Sequence, residues 1–419
     1  MGLMRSPDSQ RFSRRDYLRK LVAIGGVTGL SACLDATGRN EIASGNPSER
    51  PARQHAWNDV LATDEDGNRL LPEHHVLVPL RLVAPPDEES ADQVESALTS
   101  IERAYSYAPE GILFTVGYSA AYFDRFENEP TPIPVPEELT PMESPELDTF
   151  DAVIHLASDH PRAVIEAEEA LLGTTDMPNG MKMDATLSGV FERAEPRRTG
   201  FVGTGLPAEH TEVQGVPESI PEDAPSLMGF RSGFSGSQAP EDRITIRDGS
   251  FEEGTTLHIS SLTLQLESWF EQDTHDQRVA KLFSPEHAEK ERVGPVGEKL
   301  GSATGIAEGA ASRVEEDART RGVVGHAQKA ARARDDDGTP PLLRRDFSTV
   351  DNGIPGAHFV SYQRSIDEFV RVREAMTGPE ITGEGVGQRL NNGILQYIFV
   401  RRRGNYLIPP RSRRALPRP

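Results

Sequence analysis

The sequence predicts an α+β fold assembled from two halves of similar element order. That expectation rests on three features. Alternating, β-rich runs precede amphipathic helical runs in both halves. No glycine-rich phosphate turn follows the first strand, which argues against a doubly wound parallel sheet. The 419 residues suffice for two domains of ordinary size. Hydrophobic residues make up 36% of the chain and aromatics 6%, low for a globular protein but too high for a wholly disordered one.

Residues 1–35 read as an address rather than a fold. Ser13-Arg14-Arg15-Asp16-Tyr17-Leu18 has the form of a twin-arginine export signal, and the apolar run from Leu21 to Leu30 is too short for a transmembrane helix. The run ends in Leu30-Ser31-Ala32-Cys33, the form of a lipobox. Cys33 is the only cysteine, so it has no disulfide partner within the chain. Lipid attachment there would hold an exported protein on the outer face of the cell membrane, though one lipid chain anchors weakly. Residues 36–70 are polar, without periodicity up to about Asp64, and read as a linker.

The first folded unit is expected over 71–215. His74 to Val83 alternates and predicts a strand, which Pro85-Pro86 ends. Glu88 to Tyr107 predicts a helix, with Val94, Leu98, Ile101 and Ala104 near helical spacing. A strand over Gly111 to Gly117 and a short helix over Ser119 to Phe126 follow. The proline-rich, acidic stretch 127–148 predicts a loop. Asp151 to Ser158 predicts a strand and Pro161 to Leu172 a helix. That order suggests a ferredoxin-like unit.

The second unit is expected over 225–410. Gly254 to Leu266 alternates cleanly and runs into a helix around Glu267 to Phe270. Strands are predicted over Pro341 to Phe347 and His358 to Gln363, a helix over Ile366 to Met376, and a last strand within Asn392 to Tyr406. Residues 411–419 form a basic tail, expected to be solvated and to pair with the acidic body, or less readily to touch a membrane.

The net charge is −21, from 66 Asp+Glu against 45 Lys+Arg, of which only six are lysine. Such a surface suits concentrated salt, where self-repulsion is screened, and points to a halophilic, haloarchaeal kind of source. It argues against nucleic acid as a partner.

The chemistry-bearing stretch is Leu227-Met228-Gly229-Phe230-Arg231-Ser232-Gly233. It is followed by His326 and by Leu342-Leu343-Arg344-Arg345-Asp346-Phe347. That order resembles the dye-decolourising (Dyp-type) haem peroxidases, and the resemblance runs from about His75 to Pro410. It implies two ferredoxin-like domains of dimeric α/β-barrel type, with antiparallel sheets and peripheral helices. It further implies haem b held mainly by the second domain. His326 would take the place of the proximal iron ligand and Arg344 that of the distal cation, with Gly229, Phe230 and Gly233 at the cofactor. Hydrogen peroxide and an organic reductant would be the substrates, and a homo-oligomer is compatible. Where the family normally carries an aspartate that moves the peroxide proton, this chain has Ser232.

The departure matters because a serine hydroxyl is a very weak base, and general acid–base help is typically worth ~10²–10⁴-fold. Asp346 returns to the face of Arg344 and could orient it or accept a proton. Glu241 and Asp242 are weaker substitutes, and His358 is a weaker rival for the ligand. Trp269, Tyr362, Tyr397 and Tyr406 are expected in the core. Gly383-Glu384-Gly385-Val386-Gly387 lacks the full dinucleotide pattern. Three functions stay open: a peroxidase, a catalytically weak haem carrier or sensor of the same fold, or a structural or assembly lipoprotein that keeps the fold without haem.

Overall fold

The computed structural model describes residues 42–419 except 127–128, 307–308 and 384. Arg14, Arg15 and Cys33 lie outside the described residues. In the first half, β1 (His74–Leu82), β2 (Leu113–Ser119), β3 (Glu146–Leu147) and β4 (Ala152–Ser158) are interleaved with α1 (Glu88–Ala104), α2 (Ala120–Phe123) and α3 (Pro161–Leu171). Asp87 caps α1 by accepting from Ser90 N–H at 2.9 Å, and Glu88 and Glu89 in the first turn complement the helix dipole. Two short strands that the sequence does not announce follow, β5 (Phe191–Arg193) and β6 (Arg198–Phe201).

The second half contains α4 (Glu241–Ile244), β7 (Thr255–Leu264), α5 (His275–Leu282), α6 (Pro285–Glu289), α7 (Val314–Arg321) and α8 (His326–Ala330). After these come β8 (Leu343–Arg344), β9 (Phe347–Thr349), β10 (Gly356–Gln363), α9 (Ile366–Thr377) and β11 (Ile398–Ile408). A π-helical turn, Ser268–Gln272, stands where a helix is expected after β7.

The strands form one 11-stranded sheet in the order β2-β4-β1-β6-β9-β10-β7-β11-β3, with β5 on β1 and β8 on β10. Pairing of β11 with β2, Tyr406 opposite Ser119, closes this path into a barrel. Among the described strands only β3 pairs in parallel, against β11. The two halves of the chain thus share one antiparallel barrel, the α+β architecture expected.

Alternation along each strand divides the core. Val76, Val78 and Leu80 of β1 face outward, against Val94, Leu98 and Ile101 of α1 and Val164 of α3. Leu77 faces inward, where it joins Val153, Leu257, Ile259, Val360, Tyr362 and Tyr406 from both halves. Each such buried side chain contributes roughly 1.5–3 kcal/mol by leaving water.

Two sequence expectations fail at the ends of the chain. The described part of the 36–70 linker belongs to the packed body. Trp57 is fully buried beside Leu113 and Ala157. The Arg50 guanidinium donates to Tyr105 O at 2.7 Å, and Gln54 donates to Pro409 O at 2.8 Å while accepting from Val116 N–H at 2.9 Å. The basic tail is only partly solvated: Arg418 is exposed, but other arginines are built in. Arg414 is 1% exposed and pairs with Glu102 at 2.5 Å and Glu95 at 2.8 Å. Arg411 also holds Glu102. The expected acidic partners are there, Glu102 buried and Glu95 partly exposed, and they hold both arginines, so neither is left for a membrane.

Candidate functional site

The strand expected over Pro341 to Phe347 is split into β8 and β9 by the side chain of Asp346. Its Oδ1 accepts from Val360 N–H at 3.0 Å, a donor of β10 that a regular ladder would pair with main chain. Arg345 N–H still donates to Val360 O at 2.8 Å. The result is a local kink that presents Arg344 and Asp346 on one side and Arg345 on the other. Arg345 stacks on Trp57 at 4.2 Å and Tyr362 at 4.9 Å. It donates to His55 O at 2.8 Å and Glu241 at 3.0 Å. Only Arg344 remains for the site, as strand geometry requires.

Arg344 is held at its main chain by a reciprocal pair with Gln238, 2.9 Å in each direction. Its Nη1 lies 3.4 Å from both Ser232 Oγ and Asp346 Oδ2. The structure therefore brings together three residues that lie up to 114 positions apart in sequence. Burial raises the Asp346 carboxyl above the usual carboxylate range, against the opposing pull of Arg344 and of the Val360 N–H.

The loop that carries Ser232 turns on two glycines. Gly229 has φ +85° and Gly233 φ +78°, conformations that a side chain would strain. A Cβ on Gly229 would also meet the Phe270 ring at 3.1 Å. Trp269 Nε1 donates to Met228 O at 2.9 Å, and Arg231 pairs with Asp64. Phe230 is an anchor rather than a site wall: it packs edge-on against Phe283 at 5.7 Å.

His326 is the first residue of α8. Gly325 before it allows close approach to Phe283, whose carbonyl oxygen a Cβ would strike. The helix packs on α9 through Ala330, Ala333, Phe369 and Val372, with Phe359 of the Arg344 face in the same cluster. The His326 ring makes no hydrogen bond to any described residue. Burial is the main cause that lowers its basicity to about 3, helped by the charges of Lys329, Arg344 and Arg373. Its imidazole is therefore neutral with a lone pair free.

His326 and Asp346 lie deep inside the protein, yet neither is sealed. The Asp346 and Arg344 side chains keep 21% and 25% of their surface accessible, and His326 is half-buried. A separate open cavity of about 320 Å³ around His275, His287 and Lys299 contains none of these residues.

The other candidates are placed elsewhere. His358 is bonded to Ser261 at 3.0 Å and lies 3.6 Å from Asp351. Glu241 is taken by Arg345 and Asp242 by Arg53, so neither stands in for the missing acid. Trp269, Tyr362, Tyr397 and Tyr406 are all core residues. Sequence reasoning passed over the groups behind His326: Lys329, Asn392 and Gly393. Two signals were available, a lysine in a chain with only six and an Asn-Asn-Gly turn.

Over residues 72–410 the chain matches the sequence profile of a family described as a family of unknown function (DUF7405). It belongs to that family. No curated protein matches the chain. Among solved structures it is similar to DyPB from Rhodococcus jostii RHA1, with TM-score 0.55 and 13% identity, covering 85% of this chain and 96% of that one. A dye-decolorizing protein from V. cholerae gives 0.54 and 14%, over 85% and 98% of the two chains. The encapsulated DyP-type peroxidase from Mycobacterium smegmatis gives 0.54 and 12%, over 84% and 96%. At such identities the likeness establishes the fold of this DUF7405 member: a DyP-like α+β barrel.

Proposed function

We propose that the chain is a haem-binding, peroxidase-like protein that reduces hydrogen peroxide with an organic electron donor. It would be exported by the twin-arginine route and anchored outside the cell by a lipid on Cys33. The observations that support the reading are the His326 imidazole, without a hydrogen-bond partner among the described residues and near enough to Arg344 to feel its charge, and the contacts of Arg344 with Ser232 and Asp346. Among the described residues no set of three or more His, Cys, Asp or Glu could hold a bare metal ion. A single imidazole suits a metal whose other donors come from a macrocycle, and variants of the similar Rhodococcus protein are solved in complex with haem.

Haem b, bound through His326, would supply the redox-active iron. The rest falls to side chains. Arg344 stays protonated and presents a fork of donors to the negative charge that develops on a peroxide oxygen. Asp346, with its raised proton affinity, takes up and returns the peroxide proton in place of the missing aspartate. Ser232 can only orient, through its hydroxyl. Haem-loaded protein should show a Soret band that His326→Ala loses; a normal band in that variant would overturn the ligand assignment.

A second reading, a haem carrier or sensor with little turnover, is favoured by Ser232 and by the cationic surroundings of His326. Steady-state peroxide reduction separates the two. A wild type that is already fast, and unchanged in Ser232→Asp, removes the carrier.

A further inference from the structure

The back of His326 is held by groups that the proposed reaction does not use. Lys329 follows one turn later in α8 and is 1% exposed. Its Nζ donates to Met376 O, to Asn392 O and to Asn392 Oδ1. Three acceptors match the three donors of an ammonium group, whereas a neutral amine would leave one unmet. Among the described residues no carboxylate touches it; the nearby Glu380 is paired with Arg332.

Burial lowers the Lys329 ammonium to about 7 against the pull of Glu380, so the charge is kept below that pH, and its position shows what it holds. Asn392 is fully buried and donates to Thr377 O at 2.9 Å and Gln388 O at 3.0 Å. The next residue, Gly393, has φ +62° and lies against the His326 main chain, where a Cβ would come within 3.1 Å of its N and Cα. Gly393 N–H donates to Val324 O at 3.0 Å, and Val324 N–H to Asn391 O at 3.2 Å. Lys329 thus ties α8 to the end of α9 and to the 388–393 turn.

The same lysine shapes the electrostatics. An imidazole bound to a metal usually donates its second N–H to a carboxylate, carbonyl or water, which raises its basicity as a ligand. The His326 ring meets no such protein acceptor among the described residues, and the neighbouring charges that act on it, Lys329, Arg344 and Arg373, are all positive. A less basic ligand backed by positive charge disfavours the ferric state relative to the ferrous one.

On the haem-binding reading above, we infer that Lys329 is a positioning residue. It clamps the helix that carries His326, and its charge holds the bound iron at a raised reduction potential.

The test uses the haem-loaded full chain at pH 6, with midpoint potentials measured for wild type, Lys329→Arg and Lys329→Met. Lys329→Met should shift the ferric-to-ferrous ratio at fixed potential tenfold or more toward ferric, about 59 mV. Lys329→Arg should stay close to wild type. Lys329→Met with a wild-type Soret band and an unchanged potential overturns the inference alone. Should that variant not fold, the iron–histidine stretch of the wild-type ferrous protein decides. A band at the neutral-imidazole end supports the inference, and one at the imidazolate end overturns it. A wild type that takes up no haem overturns the haem reading and the inference with it.

Discussion

The two sides of the candidate pocket are built on different principles. The sheet side holds Arg344 between a hydroxyl and a carboxylate, 3.4 Å from each, with charges of both signs and some access to solvent-sized space. The helix side holds His326 against a buried lysine whose partners are all neutral oxygens. The first can move a proton and stabilise a developing anion. The second fixes a ring and surrounds it with positive charge. Chemistry and placement are thus assigned to different elements, β8 with its kink and α8, and variants on the two should fail differently.

The largest effect is expected on the sheet side. Asp346→Asn should slow peroxide reduction by ~10²–10⁴-fold while the Soret band stays as in wild type; equal rates would show that Asp346 is only a partner of Arg344. The pH profile sharpens this. Burial raises the Asp346 carboxyl and only its ionised form accepts a proton. Activity should therefore fall with decreasing pH at a value above about 3.9, the usual aspartate pKa, and Asp346→Asn should lack that acid limb. Ser232→Asp should raise the rate, most visibly in an Asp346→Asn background.

On the helix side, Gly393→Ala should act on stability and haem affinity together. The positive φ and the contact with His326 together predict a loss of about 1–3 kcal/mol, seen as a lower denaturation midpoint. An unchanged midpoint would mean that the turn yields and does not press on α8.

The barrel that supports both elements has a pH dependence of its own. His75 donates to Pro72 O at 2.8 Å and meets His155 at 2.9 Å. Burial lowers His75 and His258 to about 3, against about 6.5 unfolded. The unfolded chain thus takes up protons first as pH falls. Their contribution is complete above about 6.5 and fades toward 3, by up to ~1.4 kcal/mol per pH unit for each. A denaturation midpoint independent of pH from 7 to 4 would contradict it.

Much of the fold was legible because alternation and helical spacing survive wherever one face is buried. β1, β4 and α3 fall within a residue of their predicted bounds. The strand split at Asp346 was not, because it depends on a side chain taking a main-chain bond. β5 and β6 are too short to show a period. The 42–70 segment misled because its polar residues, such as Arg50 and Gln54, satisfy distant carbonyl groups, and long-range pairing leaves no local pattern. In the site, the order of Ser232, His326 and Arg344 was readable through a resemblance. Lys329 was not, since its role lies in three oxygens contributed by other segments.

The packed N-terminal segment also sets a leash. Ile42 O accepts from Asn179 Nδ2 at 2.8 Å and Ala43 O from Ser106 N–H at 2.8 Å, so about 9 residues separate Cys33 from the folded body. Fully extended, they reach roughly 30 Å. With a lipid on Cys33, as proposed, the barrel would ride within that height of the bilayer surface, and a reductant would have to work in that gap or approach from the open side.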